Sequence, residues 1–131
     1  MVFVDTSAWF AFFKRSDPMH KQVRDWIASN KQELVTTDYC VDETLTLLMA
    51  RRERRRALEA GEVFFQTDLC GLHFLTVEDI RGAWLLFQQR ASAGWSFTDC
   101  TSKVVIDQLQ IDTALALDTH FRQFGDVEIA P

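Results

Sequence analysis

The sequence predicts an α/β fold of three layers, in which helices cover both faces of a parallel sheet. Short apolar runs at residues 2–4 and 113–117 are typical of strands buried on both faces. Segments with helical periodicity lie between these runs and other short strands, and strands that alternate with helices favour parallel pairing. A chain of 131 residues is long enough for one hydrophobic core, so we expect a single domain over residues 1–131.

The N-terminal half is predicted to hold two strands and three helices. An almost wholly apolar segment after the first strand indicates a helix over 7–14, and Pro18 is suited to the first position of the next helix. Val41, Leu45 and Leu48 recur at helical spacing and indicate the core face of the third helix. Besides the strand at 2–4, the predicted elements are helices 7–14, 18–29 and 38–52 and a strand at 34–37.

The C-terminal half continues this alternation. Thr76 and Asp79 match a capping box, with Asp where Glu or Gln is usual, and they open the fifth helix. The apolar strand at 113–117 ends at Asp118, which repeats the order of strand, Asp and Thr found around Asp5. The predicted elements are helices 57–69 and 76–90, a loop at 91–94, a sixth helix led by 95–99 and ending near 110, and strands 72–75, 113–117 and 127–129.

Four acids lie at or near the predicted carboxyl edge of the sheet, where open α/β sheets bind ligands. Asp5 and Asp118 follow strands directly. Asp99 falls in the first turn of the sixth helix, and Glu43 falls on the flank of the core face of the third helix. Considered singly, Asp5 fits a helix cap, Asp99 an ordinary first-turn acid and Glu43 an exposed helix residue.

Considered together, the four acids predict a site for divalent cations. Four carboxylates in one cleft do not all stay ionised unless cations are present. Oxygen ligands select hard ions such as Mg²⁺ or Mn²⁺, and such a site binds a phosphate, activates a water and stabilises a leaving oxyanion. The net charge of −5 argues against an ordinary nucleic-acid binder. A protein that holds its substrate partly through metal ions, however, need not be basic.

The most basic segment is the arginine run, which we define as Arg51, Arg52, Arg54, Arg55 and Arg56. One interpretation is a solvated helix end or a corner between helices, with the arginine stems lying on neighbouring residues. The other is a contact surface for phosphate or for a partner protein. The sequence favours neither interpretation.

The cysteines and the N-terminal segment bear on the compartment. Cys40, Cys70 and Cys100 are odd in number and form no CxxC pair, so they indicate neither a disulfide framework nor a zinc site. We expect them to be small core residues in a reducing cytoplasm. The apolar run at 8–13 lacks a basic region before it and is too short to cross a membrane. We therefore expect neither a signal peptide nor a membrane anchor.

Four segments resemble the PIN-domain ribonucleases, and in particular the VapC-like toxins of bacterial toxin–antitoxin modules. They are Val-Phe-Val-Asp-Thr-Ser at 2–7, Glu43 in a helix after the second strand, Trp-Ser-Phe-Thr-Asp-Cys at 95–100, and Leu-Ala-Leu-Asp-Thr-His-Phe at 115–121. The resemblance covers essentially the whole chain in order and spacing. No single segment is decisive, but four in the right order are fairly specific.

The resemblance implies a metal-dependent endoribonuclease with a five-stranded parallel sheet. It implies Mg²⁺ or Mn²⁺ as cofactor, RNA as substrate, a homodimer, and a cognate antitoxin protein as partner. The metal-binding and catalytic acids that it implies are Asp5, Glu43, Asp99 and Asp118. Thr6, Ser7 and Thr98 would be supporting hydroxyls near the metal and phosphate. The resemblance assigns no role to the arginine run.

A homodimer is also expected from the first helix. Residues 9–13, Trp-Phe-Ala-Phe-Phe, carry more aromatic surface than one helix face buries in a domain of this size. Large exposed apolar patches usually mark interfaces. We therefore expect this segment to contribute to a subunit interface.

Other classes of protein fit the sequence less well. A receiver-type signalling module needs an Asp at the end of the third strand and a lysine after the last strand, but Leu75 ends the third strand and no lysine follows Arg122. A phosphatase of the haloacid-dehalogenase type needs a second Asp two residues after Asp5, where this chain has Ser7. The alternative that stays open is a catalytically inactive PIN-like module that binds nucleic acid or protein.

Overall fold

The computed structural model describes all 131 residues and contains a five-stranded parallel sheet. The strands are β1 (Val2–Val4), β2 (Leu34–Thr37), β3 (Gly71–His73), β4 (Thr113–Leu115) and β5 (Glu128–Ala130). They lie in the order β3-β2-β1-β4-β5, and all neighbouring pairs are parallel. Val2 pairs with Leu34 on one side and with Thr113 on the other, so β1 is the central strand. The expected five-stranded parallel sheet is confirmed.

Six helices connect the strands. They are α1 (Thr6–Phe13), α2 (His20–Ser29), α3 (Asp38–Ala50), α4 (Arg54–Gln66), α5 (Val77–Arg90) and α6 (Phe97–Gln108), with short 3₁₀ turns at Ala91–Ala93 and Thr119–Gln123. Thr37, Thr76 and Ser96 cap α3, α5 and α6, because each side-chain oxygen accepts the N–H of the third helical residue. The starts of these three helices are therefore encoded locally by a hydroxyl residue.

The side chains of β1 alternate between two hydrophobic clusters on opposite faces of the sheet. Val2 and Val4 join buried residues of α1, α3 and α4, whereas Phe3 joins buried residues of α5 and α6. All three side chains are fully buried. Because successive residues of a strand point to opposite faces, a wholly apolar strand needs helices on both. The expected three-layer α/β/α arrangement is confirmed.

The aromatic side chains of α1 pack inside the protein. Trp9 and Phe13 are buried, and Phe10 and Phe12 are half-buried against the same cluster. The rings of Trp9 and Phe13 both meet Phe64 of α4 edge to face, with ring centroids 5.1 Å and 5.6 Å apart. Such pairs add about 1 kcal/mol each beyond simple burial. Much of the aromatic surface from which we expected a subunit interface is therefore buried within the chain by α4, and the interface at this segment stays a prediction.

The fourth helix begins one turn earlier than expected. α3 ends at Ala50 and α4 begins at Arg54 rather than at residue 57. Between them Arg52 adopts a positive φ of 60°, which reverses the chain in a tight corner. Arginine is a good helix former, so α4 starts as soon as the corner is complete.

The second helix begins two residues later than expected. It starts at His20, and Pro18 lies in the preceding turn rather than at the first helical position. The Asp17 side chain accepts the N–H of Met19 at 2.8 Å, and the Asp17 carbonyl accepts the N–H of His20 at 3.0 Å. These two bonds close a turn that delays the helix.

The three cysteines are free and buried, as expected of small core residues. Burial raises the pKa of each thiol, to about 12 for Cys70, and the nearby carboxylates of Asp5 and Asp99 add to the rise at Cys40 and Cys100 respectively. Thiols held in the protonated form are poor nucleophiles. As a separate point of architecture, none of the helices combines the length and the apolar character needed to cross a bilayer.

Candidate active site

The order of the strands reverses between β1 and β4. From β1 the chain builds β2 and β3 outward on one side, and then β4 and β5 on the other. In open α/β sheets, ligands bind in the crevice at the carboxyl ends of the strands where this reversal occurs. Asp5 directly follows β1, and Asp118 follows β4 by three residues. Both acids therefore lie at the crevice that the topology creates.

Asp5 is both a helix cap and a buried acid. Its Oδ2 accepts the Ser7 N–H at 3.0 Å and the Ser7 hydroxyl at 2.5 Å, and the residue is 4% exposed. Burial is the main reason that the pKa of Asp5 rises from 3.8 to about 7. The hydrogen bonds from Ser7 lower this pKa, whereas the negative charges of Asp99 and Glu43 raise it further. Asp5 therefore does cap α1, but capping does not explain why the carboxylates of Asp99 and Glu43 lie near it.

Ser7 connects the two strands at the crevice. Its hydroxyl donates to Asp5 and accepts the backbone N–H groups of Leu117 at 2.9 Å and Asp118 at 3.2 Å. A hydroxyl can donate one bond and accept two, so Ser7 uses its full capacity here. The loop after β1 and the loop after β4 are thereby held together across 110 residues of sequence.

Asp99 and Asp118 meet at the side chain of His120. Asp99 is the third residue of α6 and forms a reciprocal capping box with Ser96. Its Oδ2 lies 3.0 Å from Nδ1 of His120, and Oδ1 of Asp118 lies 3.3 Å from the same nitrogen. One ligand atom from each of the three side chains falls within 4.8 Å of the others. This geometry is compatible with a shared cation.

Glu43 approaches from the other side, in the second turn of α3. With Thr98 it lines a groove of about 560 Å³ that extends along α3 from Asp38 to Ala50. The charge of Glu43 contributes to the raised pKa of Asp5, which means that the two carboxylates are close enough to interact. The structure therefore brings all four predicted acids to one end of the sheet, with Thr98 at the edge of the groove.

The residues at this end of the sheet fit a hard divalent cation. No Lys or Arg nitrogen lies within 4.0 Å of any of the four acids, and His120 is their sole partner among basic side chains. The Oγ1 atom of Thr6, next to Asp5, is buried without a hydrogen-bond partner. Carboxylates that lack a basic counter-ion are costly to keep ionised in a buried site. A set of oxygen donors of this kind suits Mg²⁺ or Mn²⁺.

The arginine run forms the corner between α3 and α4. Arg56 pairs with Glu59 at 2.7 Å, and the other four arginines are exposed and have no carboxylate within ion-pair distance. The groove beside Glu43 ends at Ala50, immediately before Arg51. The interpretation as a helix corner is therefore correct in geometry. Four of its arginines are unpaired, and Arg51 directly follows the last residue that lines the groove.

His120 is the residue of this cluster that the sequence did not single out. Its position two residues after Asp118 explains the backbone contact, since the His120 N–H donates to Asp118 Oδ1 at 2.9 Å. The contact with Asp99 joins residues 21 apart and depends on the packing of α6 against the 3₁₀ turn. The other histidines have ordinary partners: His20 contacts the carbonyl of Ala11, and His73 contacts Asp79.

A comparison with known protein families gives the class of protein to which this fold, with acids at its switch point, belongs. The PIN domain family matches residues 2–127. The chain belongs to the PIN-domain family. The resemblance noted in the sequence is thereby confirmed, and it covers nearly the full length of the chain.

Particular relatives are also similar over the whole chain. The chain is 31% identical over 131 residues to the 23S rRNA-specific endonuclease VapC20 of Mycobacterium tuberculosis. The alignment covers all of this chain and 99% of that protein. The crystal structure of that protein, described as a sarcin–ricin loop cleaving toxin, superposes with a TM-score of 0.92 at 30% identity and full coverage of both chains. A VapC ribonuclease of Archaeoglobus fulgidus is 28% identical over 123 residues, covering 90% of this chain and 77% of that protein.

A more distant structure shares the fold alone. FitAcB from Neisseria gonorrhoeae superposes with a TM-score of 0.72 and covers all of this chain and 97% of that chain. The sequence identity is 15%, which is too low to carry residue roles from one chain to the other. The three-layer architecture is thus retained where most of the sequence is not.

Proposed function

We propose that this protein is a Mg²⁺- or Mn²⁺-dependent endoribonuclease and the toxin of a toxin–antitoxin pair, with its single nuclease domain spanning residues 1–131. The observation that carries the proposal is Asp5, a buried carboxyl group whose pKa is raised to about 7 beside Asp99 and Glu43. No basic side chain of Lys or Arg offsets these charges. Two relatives named as nucleases, VapC20 and the VapC ribonuclease, support the same class of reaction.

The acids are assigned as the metal-binding and catalytic residues of this reaction. Bound divalent cations would supply positive charge to the scissile phosphate and lower the pKa of the attacking water. The protein residues fix where those charges lie. Asp5 Oδ2 is held by Ser7, while its Oδ1 accepts no hydrogen bond from the protein and is left for a cation. The proposed ligands are Asp5, Glu43, Asp99 and Asp118.

The hydroxyl residues are assigned supporting roles. Ser7 orients the Asp5 carboxylate and fixes the Asp118 loop through the same oxygen. Thr6 follows Asp5 in the sequence, and its buried hydroxyl, which makes no hydrogen bond of good geometry, lies beside the Cys40 thiol. Thr98 lines the same groove as Glu43 and is positioned to contact a substrate phosphate or the attacking water. Of the three, Ser7 should matter most, because one hydroxyl holds both loops.

The substrate that we propose is structured RNA, and the first candidate is a ribosomal RNA hairpin. The full-length relative VapC20 is named for cleavage of 23S rRNA and of the sarcin–ricin loop. The groove along α3, of about 560 Å³, extends from Glu43 and Thr98 to Ala50, the residue before Arg51. Phosphates that extend beyond the metal ions would meet the unpaired arginines at its end.

An RNA-cleavage assay tests the proposal. Purified protein should cut a hairpin with the sarcin–ricin loop sequence in the presence of Mg²⁺ or Mn²⁺, and chelation of the metal should abolish the cut. End-mapping of the products identifies the bond. An unstructured RNA of the same composition serves as the matched substrate control. Binding of either RNA without cleavage under all metal conditions would instead support the inactive binding module.

The arginine run is proposed to contact RNA phosphates and an acidic segment of the cognate antitoxin. Arg56 is already paired with Glu59, so the informative variant is Arg54→Glu with Arg55→Glu, which changes only unpaired side chains. RNA affinity should fall and its dependence on salt should flatten, because fewer counterions are released. Co-purification with the antitoxin should weaken while metal affinity stays unchanged. Wild-type values in both binding assays would leave the run as a solvated corner.

The homodimer is retained as a proposal, with a different surface from the one expected. Phe74, Val77, Trp84 and Leu85 expose 53–65% of their surface on and just before α5. An apolar set of this kind on one helix is suited to pair with a second copy. Sedimentation should give twice the mass of 15.2 kDa for the wild type. Trp84→Glu should give the monomer, and Phe65→Glu on the exposed face of α4 should not.

The cytoplasm is the proposed location. Three free cysteines in the core fit a reducing compartment. The proposed RNA substrate and antitoxin belong to the same compartment. Fractionation of cells that express a tagged, inactive variant tests this assignment.

A further inference from the structure

His120 contributes a nitrogen atom to a cluster that is otherwise made of carboxylate oxygens. Nδ1 lies 3.0 Å from Asp99 Oδ2 and 3.3 Å from Asp118 Oδ1. The side chains expose 27%, 7% and 37% of their surface respectively, so the cluster opens to solvent on the side of Asp118. This nitrogen lies between two of the four proposed metal ligands.

The distances match those between neighbouring ligands of one metal ion. Two ligand atoms at about 2.1 Å from an octahedral ion, and at right angles to one another, lie about 3.0 Å apart. The separations of Nδ1 from the two carboxylate oxygens are close to this value. The same geometry also serves a hydrogen bond while Nδ1 carries a proton. Metal binding at Nδ1 requires the other tautomer, with the proton on Nε2.

The surroundings of the imidazole permit this change of tautomer. The position of a Cβ atom built on Gly94 would lie 3.5 Å from Nε2, and Gly94 has a positive φ of 84°. Gly94 thus lies at ordinary contact distance from Nε2, and its backbone takes a conformation that other residues adopt with strain. Nε2 makes no hydrogen bond within the protein, so it is free to carry the proton in the tautomer that leaves Nδ1 unprotonated.

The backbone of His120 is anchored by aromatic packing. The next residue, Phe121, is 1% exposed, and its ring lies 6.3 Å from Phe3 and 4.3 Å from Phe124 between centroids. The His120 N–H donates to Asp118 Oδ1 at 2.9 Å. The packing of Phe121 and the hydrogen bond to Asp118 both hold the turn in place, so the imidazole is pre-organised to face the acids.

We propose that Nδ1 of His120 is a direct ligand of the bound cation and makes the site prefer Mn²⁺ over Mg²⁺. This inference rests on the metal site of the proposed function and specifies its donor set. Imidazole nitrogen suits transition-metal ions, whereas Mg²⁺ is held almost entirely by oxygen. The proposed donor set therefore combines carboxylate oxygens, which are hard ligands, with one imidazole nitrogen, which is a borderline ligand.

The experiment uses Mn²⁺ as the probe on the full chain. Pulsed electron paramagnetic resonance of the Mn²⁺-loaded wild type should show hyperfine coupling to a directly bound imidazole nitrogen. Growth with isotopically labelled histidine should change that coupling. His120→Ala should remove it, weaken Mn²⁺ binding by about tenfold and change Mg²⁺ affinity by less than about threefold. His73→Ala is the matched control, because His73 also contacts an aspartate of a capping box and should leave every readout at the wild-type value.

The outcomes separate this inference from the proposed function. Bound Mn²⁺ without nitrogen coupling in the labelled wild type overturns the role of His120 while the metal site stands. Tighter binding of Mn²⁺ by His120→Ala also overturns it, since the imidazole would then be a competitor for the acids. An absence of any Mn²⁺ binding to the wild type overturns the metal site itself. The labelled wild type needs no variant to fold, so the first outcome is decisive even if His120→Ala is unstable.

Discussion

Two helices of this protein begin with the same device and use it differently. α5 opens with Thr76 and Asp79 in a reciprocal capping box, and α6 opens with Ser96 and Asp99 in another. In both cases Oδ2 of the aspartate also contacts a histidine nitrogen, at 2.9 Å in α5 and 3.0 Å in α6. By sequence pattern and by local geometry the two aspartates are nearly equivalent.

The surroundings of the two aspartates differ. Burial raises the pKa of Asp79, but hydrogen bonds from Thr76 and His73 outweigh it, so that the pKa lies below its usual value. Asp99 instead shares His120 with Asp118 and adds its charge to the group that raises the pKa of Asp5. The Asp79 carboxylate is stabilised by hydrogen bonds from Thr76 and His73. The Asp99 carboxylate belongs to a group of acids that lacks sufficient positive charge nearby. A capping box is therefore no guide to function until the other acids near it are known.

The largest expected difference is in RNA cleavage. Asp99→Asn should lower the single-turnover rate by about 10³-fold, equal to about 4 kcal/mol, because a neutral amide cannot hold the charge of a divalent ion. Asp79→Asn should change the rate by less than about twofold. Circular dichroism should show that both variants fold. Equal losses in the two folded variants would contradict the distinction between them.

The pH dependence of stability should have opposite signs in the two regions. Unfolded Asp5 loses its proton near 3.8, but the folded group keeps it up to about 7. Metal-free protein should therefore lose stability as the pH rises through this window, by about 2–3 kcal/mol between pH 5 and pH 8. Asp79, with its lowered pKa, contributes stability that is lost as the pH falls below about 4.

Urea unfolding in the presence of a chelator measures both signs. Asp5→Asn should flatten the fall between pH 5 and pH 8 and leave the acid limb unchanged. Asp79→Asn should do the reverse. If stability instead rises through the window from pH 5 to pH 8 and Asp5→Asn has no effect on it, Asp5 is ionised in the metal-free protein.

Metal ions should stabilise only one of the two regions. A ligand at about 100 times its dissociation constant stabilises the folded state by about 2.7 kcal/mol. Mn²⁺ at that level should raise the unfolding free energy of the wild type and of Asp79→Asn by about this amount, and that of Asp99→Asn by less than half of it. Thermal unfolding over a Mn²⁺ titration gives the comparison. A full response in Asp99→Asn would remove that residue from the metal site.

The smallest expected difference is in the metal-free stability of the alanine variants. Asp79→Ala removes a cap and a partner of His73, and should lower the unfolding free energy by about 1–2 kcal/mol. Asp99→Ala loses a similar cap but also relieves repulsion among the acids, so its net effect should be within about 0.5 kcal/mol of zero. Chemical denaturation in chelator measures both values. A larger loss for Asp99→Ala would show that its capping role outweighs the repulsion.

Local features of the sequence were sufficient to predict most of the fold. Apolar strands such as β1 and β4 predict burial on both faces of the sheet, because successive side chains of a strand point to opposite faces. The capping residues at Thr76 and Ser96 mark helix starts through bonds that span three residues. The starts of α2 and α4 differ from the prediction because a turn at Met19 and a corner at Arg52 depend on single side-chain or backbone conformations.

The sequence by itself determined which acids follow which elements, and therefore that Asp5 and Asp118 lie at the carboxyl edge of the sheet. Only the tertiary structure decided that Ser7 joins their two loops and that His120 lies between Asp118 and Asp99. It also decided that Trp9 and Phe13 of α1 are covered by Phe64 of α4. The physical reason is range: strand and helix signals act over a few residues, whereas hydrogen bonds and packing between residues up to 111 apart exist only once the chain has folded.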